Sequence, residues 1–334
     1  MKWKTAFVLV ACAAALVAQT PPVTILEVEA VNGVLYYGDV ADPSKLGSSP
    51  TTVPRAGRNF LPWVGFADIV AVNGKPAKGV VAFRGTIINL RTTATPGQAA
   101  AQAISDVTRS DVEDPYLEIQ DADGTPIGTI VSSGLAGGTP PPGAPTAATG
   151  SNIAITGGTG AFLGVRGQLA FGRGSSVRQA SMAEDPASRR THGGGSIRLI
   201  LHLIPMTSLE IVALPTGPAI FHGEDWSPVT ADKPARAGER LMMSVSGLGP
   251  VKPNLDPGKP FPPYPEGQLH EVNSPVDVTV NGKAAAVVNK YGWPATTNVY
   301  RVDFVVPDGT AAGMATLGLS VAWINGPEVK IPVR

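Results

Sequence analysis

Turn chemistry punctuates this chain more heavily than any other feature. Asn-Gly suits the type I′ turn of a β-hairpin, where both central residues need a positive φ. It occurs at Asn32-Gly33, Asn73-Gly74 and Asn281-Gly282. The 334 residues also include 39 glycines and 32 prolines, a density that leaves few uninterrupted stretches long enough for a helix. Between the turns lie short apolar, β-branched runs: VTILEVEAV (23–31), GVVAFRGTIINL (79–90), SIRLILHLI (196–204) and VYRVDFVV (299–306). Runs of this kind, bounded by turn residues, read as strands. The expectation is an all-β protein. One stretch, TPGQAAAQAISDVTRSDV (95–112), has apolar residues at helical spacing around Ala100, Ile104 and Val107, and reads equally as a short helix or a loop. Residues 137–150, 172–195 and 249–267 are rich in Gly, Pro and polar residues and read as loops.

Length allows two ordinary domains. A hydrophobic content of 43% can supply a core for each. The boundary is expected at Pro205-Met206-Thr207-Ser208, just after a strong strand. Lys and Arg together number 26, as do Asp and Glu, so the chain has no net basic charge to attract nucleic acid.

The first twenty residues read as a secretory signal peptide, with Lys2 and Lys4 ahead of an apolar run from Ala6 to Val17 and small residues near Ala18. The run is short for a membrane span. The one cysteine, Cys12, lies inside it. Leu9-Val10-Ala11-Cys12 also resembles a bacterial lipobox, which would anchor the chain to a membrane through lipidated Cys12. An ordinary leader is preferred, because Cys12 comes early and the apolar run continues past it. The mature chain is expected outside the cytoplasm without a disulfide.

The stretch ITGGTGAFLGVRGQLAFG (155–172) tests whether clustered glycines form a phosphate cradle. A dinucleotide fingerprint needs Gly at the third position after Gly158-Thr159-Gly160, and Leu163 stands there. A P-loop needs a closing Gly-Lys-Ser/Thr, and no lysine is present. The residues that follow alternate like a strand. The stretch therefore reads as strand, glycine turn, strand, with Phe162 turned toward the core.

AITGGTGAFLGVRGQL resembles the signature hairpin of the allene oxide cyclase and dirigent barrel superfamily, through its Gly-Gly-Thr-Gly turn, Phe162, Gly164, Arg166, Gly167 and Gln168. The resemblance implies an antiparallel β-barrel in a domain spanning 21–206. Leu163 stands where dirigent proteins usually carry Arg, and the cyclases' catalytic Glu and Cys have no matching position here. Residues 208–334 resemble an uncharacterised C-terminal domain of secreted acidobacterial proteins. The shared marks are Pro234-Ala235-Arg236 through Glu239, Gly247 to Pro250, Pro275 to Gly282, Tyr300 to Asp303 and the terminal Ile331-Pro332-Val333. That resemblance implies an Ig-like β-sandwich with no attached activity.

No Gly-x-Ser-x-Gly elbow, His-Glu-x-x-His or Cys-x-x-Cys occurs, and no cofactor or metal is expected. The acidic run Asp106, Asp111, Glu113, Asp114, Glu118, Asp121 and Asp123 ends in Asp-Ala-Asp-Gly, which resembles the start of a calcium loop. The later ligands are missing, so a hairpin turn is the better reading. Pocket candidates are Arg166, from the dirigent motif; Tyr116 and Glu118, which share one strand face by period two; and His202, inside a strand. Each is weighed against an outward-facing, solvated side chain.

Two functions follow. The first is a secreted, non-catalytic binding or surface protein, in which a barrel offers either a small apolar cavity, as for a hydrophobic small molecule, or a rigid platform, and the second module serves display or association. The second is a cyclase- or dirigent-type enzyme that shapes a hydrophobic substrate in the barrel. The absence of a catalytic constellation favours the first. Homo-oligomerisation is left open.

Overall fold

The computed structural model describes residues 24–37, 62–87, 111–136, 153–205, 209–256, 258–263 and 268–334. The first 23 residues with Cys12, the Ala-rich stretch up to residue 110 and the Pro/Gly-rich stretch 137–150 lie outside the described residues; positions 111 and 112 already belong to a strand.

The first half is β1 (Thr24–Tyr37), β2 (Pro62–Val72), β3 (Lys75–Ile87), β4 (Asp111–Asp121), β5 (Pro126–Ala136), β6 (Ile153–Gly160), β7 (Arg166–Phe171), β8 (Arg178–Ser181), the single turn α1 (Arg189–His192), and β9 (Gly195–Ile204). The strand order β2-β3-β4-β5-β6-β7-β9-β1 returns to β2, because β1 pairs with both β9 and β2. Eight antiparallel strands thus close a barrel, and closure leaves no exposed edge. Alternation packs it: Leu26 and Val28 of β1, Leu117 and Ile119 of β4, Ile130, Leu169, Leu199 and Leu201 point inward and are essentially inaccessible.

Two Asn-Gly pairs behave as expected. Asn73-Gly74 joins β2 to β3 with both φ positive, at 50° and 72°. Asn32-Gly33 does not make a hairpin. It is a bulge within β1, where the register with β2 shifts between Val31 and Val34. At this point β1 changes partner, from antiparallel β9 below to parallel β8 above. An extra residue in one strand allows such a change of partner and direction.

The stretch 155–172 is the β6–β7 hairpin, with no helix after it. Gly160 has φ 62°, and a Cβ there would collide with the Ile127 carbonyl, so glycine is required at this turn. Phe162 and Val165, each 1% exposed, fold back to plug this end of the barrel.

The second half contains β10 (Glu210–Ile211), β11 (Ala213–Leu214), β12 (Gly217–Pro218), β13 (Ile220–His222), β14 (Arg240–Ser246), β15 (Val251–Lys252), β16 (Glu271–Val272), β17 (Val276–Val280), β18 (Lys283–Gly292), β19 (Val299–Val305), β20 (Gly313–Val321), β21 (Ile324–Asn325) and β22 (Val329–Val333). Apart from the β11–β12 pair, these form one curled sheet of eleven strands around a separate core that includes Leu241, Met243, Val278, Val302, Phe304 and Leu317. Asn281-Gly282 turns β17 into β18. The long β18 pairs with β17 through its first residues and with β19 through the rest, and a bulge between Val287 and Asn289 helps it bend. Among the described residues no strand is shared with the barrel, and the chain passes from one sheet to the other between Ile204 and Glu210.

The two halves meet at the plugged end of the barrel. The β20–β21 turn consists of Ala322 and Trp323, both left-handed at φ 47° and 62°, and its residues Ala322, Trp323 and Ile324 belong to the barrel's hydrophobic core. A left-handed backbone costs a side-chain-bearing residue roughly 1–2 kcal/mol. Burial of the Trp323 indole, 6% exposed, works against that cost, although its Nε1 has no hydrogen-bond partner. The Lys75–Asp277 ion pair at 2.7 Å also crosses between the halves, but both partners are solvated and it adds little.

A second small core lies outside the barrel wall. Val34 and Tyr36 of β1 and Ala180 of β8 cluster with Val64 and Phe66 of β2. The segment from β8 to α1 is clamped over this face by Asp68, which accepts hydrogen bonds from Arg190 (2.8 and 2.9 Å), Asn32 (2.9 Å) and Arg189 (2.5 Å). Arg189 also lies over the Phe66 ring. Glu184 accepts two bonds from Arg178, at 2.5 and 2.9 Å. The bonds from Arg190, Asn32 and Arg189 hold the Asp68 carboxyl well below the usual range against the opposing effect of burial, and Arg178 does the same for Glu184.

Trp323→Ala is expected to cost about 3–5 kcal/mol and to split unfolding into two transitions as barrel and second sheet uncouple. Calorimetry checks this; a single transition at an unchanged midpoint would contradict it. Because the folded pKa values of Asp68 and Glu184 are depressed, the clamp stabilises fully above the unfolded values near ~4 and weakens as pH falls below them. Asp68→Asn should therefore lower the thermal midpoint at pH 7, with the gap from wild type closing below about pH 4.

Candidate functional site

The two ends of the barrel differ. At one end β2–β3, β4–β5 and β6–β7 are joined by tight turns. At the other, Tyr37 and Pro62, Ile87 and Asp111, and Ala136 and Ile153 are the ends from which residues 38–61, 88–110 and 137–152 leave and return. Functional side chains concentrate where long connections meet a rigid wall.

At this mouth β4 turns carboxylates inward. Its burial alternates strictly: Asp111, Glu113, Pro115, Leu117 and Ile119 are buried, while Val112, Asp114, Tyr116 and Glu118 face outward. Asp111 and Glu113 are each 5% exposed. Trp63 Nε1 donates to Asp111 Oδ1 at 3.3 Å. Glu113 is aligned with Gly85 on one side and Gly134 on the other, so neither register neighbour carries a side chain. The Trp63 indole covers Gly85, and the Ile153 side chain lies against Gly134. One layer deeper stand Phe83 and Ser132, with Phe83 stacked on Phe171 at 5.7 Å.

Two polar groups here are left wanting. Ser132 is fully buried, and its hydroxyl has no hydrogen-bond partner. Gln179, aligned with inward-facing Leu35 in the parallel β1–β8 pair, has a buried Oε1 without one. An unsatisfied buried polar group costs about 1–3 kcal/mol. Such a cost at this end of the barrel fits a ligand that supplies the missing bonds.

The residues singled out from the sequence lie elsewhere. Glu118 is exposed on the outer wall and accepts from Gln120 Nε2 at 3.1 Å. Tyr116 shares that outer face, with the Arg84 guanidinium over its ring. Arg166 is exposed at the plugged end, its Nη1 donating to the Val165 carbonyl at 3.0 Å. His202 is half-buried on the outer face beside Gln168 Nε2, at 3.5 Å. The interior face of β4 thus has the opposite parity from the one that pairs Tyr116 with Glu118. The signal was present: Leu117 and Ile119 mark the inward positions, and counting back by twos reaches Glu113 and Asp111.

Asp121 to Gly124 is the β4–β5 hairpin turn; Asp123 Oδ1 accepts from Thr125 N at 2.8 Å, and Gly124 has φ 95°. Among the described residues no group of three His, Cys, Asp or Glu side chains is gathered as metal ligands would be. No family model, curated protein or solved structure matches the chain.

Gly85→Val should destabilise by about 1–3 kcal/mol, because its Cβ would lie 2.5 Å from Trp63 Cε2 and displace the indole from Asp111. Near-UV circular dichroism reads the displaced ring. An unchanged tryptophan signal with wild-type stability would refute this arrangement of the mouth.

Proposed function

We propose that this chain is an extracytoplasmic, non-catalytic binding protein whose barrel mouth takes a small molecule with an apolar body and hydroxyl or amine donors. The observation that carries this reading is the fully buried, unpartnered Ser132 hydroxyl one layer beneath the inward carboxylates of Glu113 and Asp111. The mouth is rich in acceptors: two carboxylates and the Gln179 carbonyl. A ligand would bond to the Ser132 hydroxyl and the Gln179 carbonyl, while Phe83, Phe171 and the aliphatic wall accept an apolar body. The leader-like Lys2–Ala18 segment supports export. The hairpin of residues 155–168 supports reading the barrel as allene oxide cyclase/dirigent-like, and the sheet of the second half as an Ig-like module for display or association. Fold likeness alone does not carry an activity.

The test incubates the purified chain with an extract of lipids and small aromatics, washes it, and identifies retained compounds by mass spectrometry. Retention should fall at least about tenfold in Ser132→Ala and Glu113→Gln, a loss of ~1.4 kcal/mol or more, and persist in Glu118→Ala and Arg166→Ala. A folded chain that retains nothing refutes the proposal. The inward carboxylates also favour a second reading, an isomerase- or cyclase-type enzyme, since a carboxyl group in an apolar barrel can serve as acid or base. Conversion of a retained compound to an isomer during incubation would decide for it.

A further inference from the structure

The outer face of the second sheet carries an arrangement that folding alone does not call for. Along β19, Tyr300, Val302 and Phe304 enter the core, while Arg301 and Asp303 lie on the opposite face. Asp303 is wholly buried there, accepting from Arg301 Nε (2.7 Å), Arg240 Nη2 (2.5 Å) and Asn289 Nδ2 (3.0 Å). Burial opposes ionisation of Asp303, but these bonds outweigh it and hold the carboxyl below its usual range. The fixed Arg301 guanidinium lies 4.7 Å from the centre of the Trp226 ring and 5.6 Å from that of Tyr291. The edge of Trp293 meets Trp226 at 6.0 Å and 70°.

Trp226 nevertheless remains 50% exposed, and its backbone is left-handed at φ 62°. Both features work against stability: a bulky residue in this region is strained, and half an indole stays in water. The turn holding it is braced. Trp226 N donates to the His222 carbonyl at 3.0 Å, Asp225 accepts from Ser227 Oγ at 2.7 Å, and Lys233 Nζ bonds both Asp225 and Ser227. A solvent-exposed ring is thereby fixed between a guanidinium, a second indole and an ion-paired rim.

We propose that Trp226 is the stacking platform of a site for neutral carbohydrate. The chemistry selects this class. A cation at the ring would meet the like charge of the Arg301 guanidinium, which a neutral ligand does not. Nucleic acid finds no basic field, since Asp225 is paired with Lys233, Asp303 with both arginines, and the chain as a whole is neutral. An apolar partner finds a half-exposed indole flanked by a guanidinium and the Asp225–Lys233 ion pair rather than a continuous apolar patch. A pyranose offers a flat face of electropositive C–H groups to the electron-rich ring, and its peripheral hydroxyls can bond to Asp225, Lys233 and Arg240.

The full-length mature chain is run by affinity electrophoresis through gels containing xylan, mixed-linkage β-glucan or galactomannan, with heparin and single-stranded DNA as charged counterparts. Retardation is expected with at least one neutral polysaccharide, weakened at least about tenfold in Trp226→Asn; Asn tolerates the left-handed backbone and removes only the ring. Should that variant misfold, hydroxyl-radical footprinting of the wild-type chain is expected to show Trp226 protected by the retarding polysaccharide and Trp63 unchanged. The inference is overturned by no retardation in any neutral gel, by retention on heparin or DNA alone, by unchanged retardation in folded Trp226→Asn, or by a Trp226 left unprotected.

Discussion

The structure of the first half depends on what β1 does along its two edges. One edge pairs with β2 from Val28 to Tyr37; the other pairs with β9 up to the bulge at Asn32-Gly33 and with β8 beyond it. Without that double pairing the remaining strands would form an open sheet with two unpaired edges. With it, every inward position of the barrel strands is enclosed, and two short polar residues on β4 become buried carboxylates. The bulge has a second consequence. Past it, Val34 and Tyr36 face outward and need their own cover, which the β8–α1 segment supplies and the Asp68 clamp secures.

The closed barrel is asymmetric along its axis. Phe162, Val165 and the Ala322-Trp323 turn fill one end with apolar side chains. The mouth carries polar groups instead: Asp111, Glu113 and Ser132. At the plugged end a strained turn docks by burying its indole, whose N–H is left unpartnered. The mouth keeps an unsatisfied hydroxyl that an apolar residue would remove. The second sheet repeats the contrast, with a dense core on one face and, on the other, an exposed Trp226 braced by ion pairs. Local rules are broken at Ser132 and at Trp226, where the proposed binding sites lie, and also at the left-handed Ala322-Trp323 turn, where docking of the two halves offsets the strain.

Much of the architecture was legible in the chain. The runs at 196–204 and 299–306 became β9 and β19 almost to the residue, and Asn73-Gly74 and Asn281-Gly282 became hairpin turns. The glycines before Phe162 made a turn rather than a phosphate cradle. The site was less legible. Tyr116 and Glu118 were correctly placed on one face of a strand, yet which face looks inward follows from Leu117 and Ile119 packing against residues far away in sequence. Arg166 and His202 share the same difficulty, because motif membership and strand position do not say which side of a wall a residue occupies.

Strand periodicity, the positions of most turns and therefore the all-β class follow from the order of residues, because period-two alternation and left-handed turn residues are local properties of the backbone. Tertiary structure alone decided that Asn32-Gly33 is a bulge and that Asp111, Glu113 and Ser132 share an interior. It also decided that Trp323 belongs to the core of the other half, while Trp226 stays half in water. Those outcomes depend on which strands pair and which faces meet. Pairing is settled by the burial of the whole apolar surface at once, a sum to which residues at distant positions contribute together.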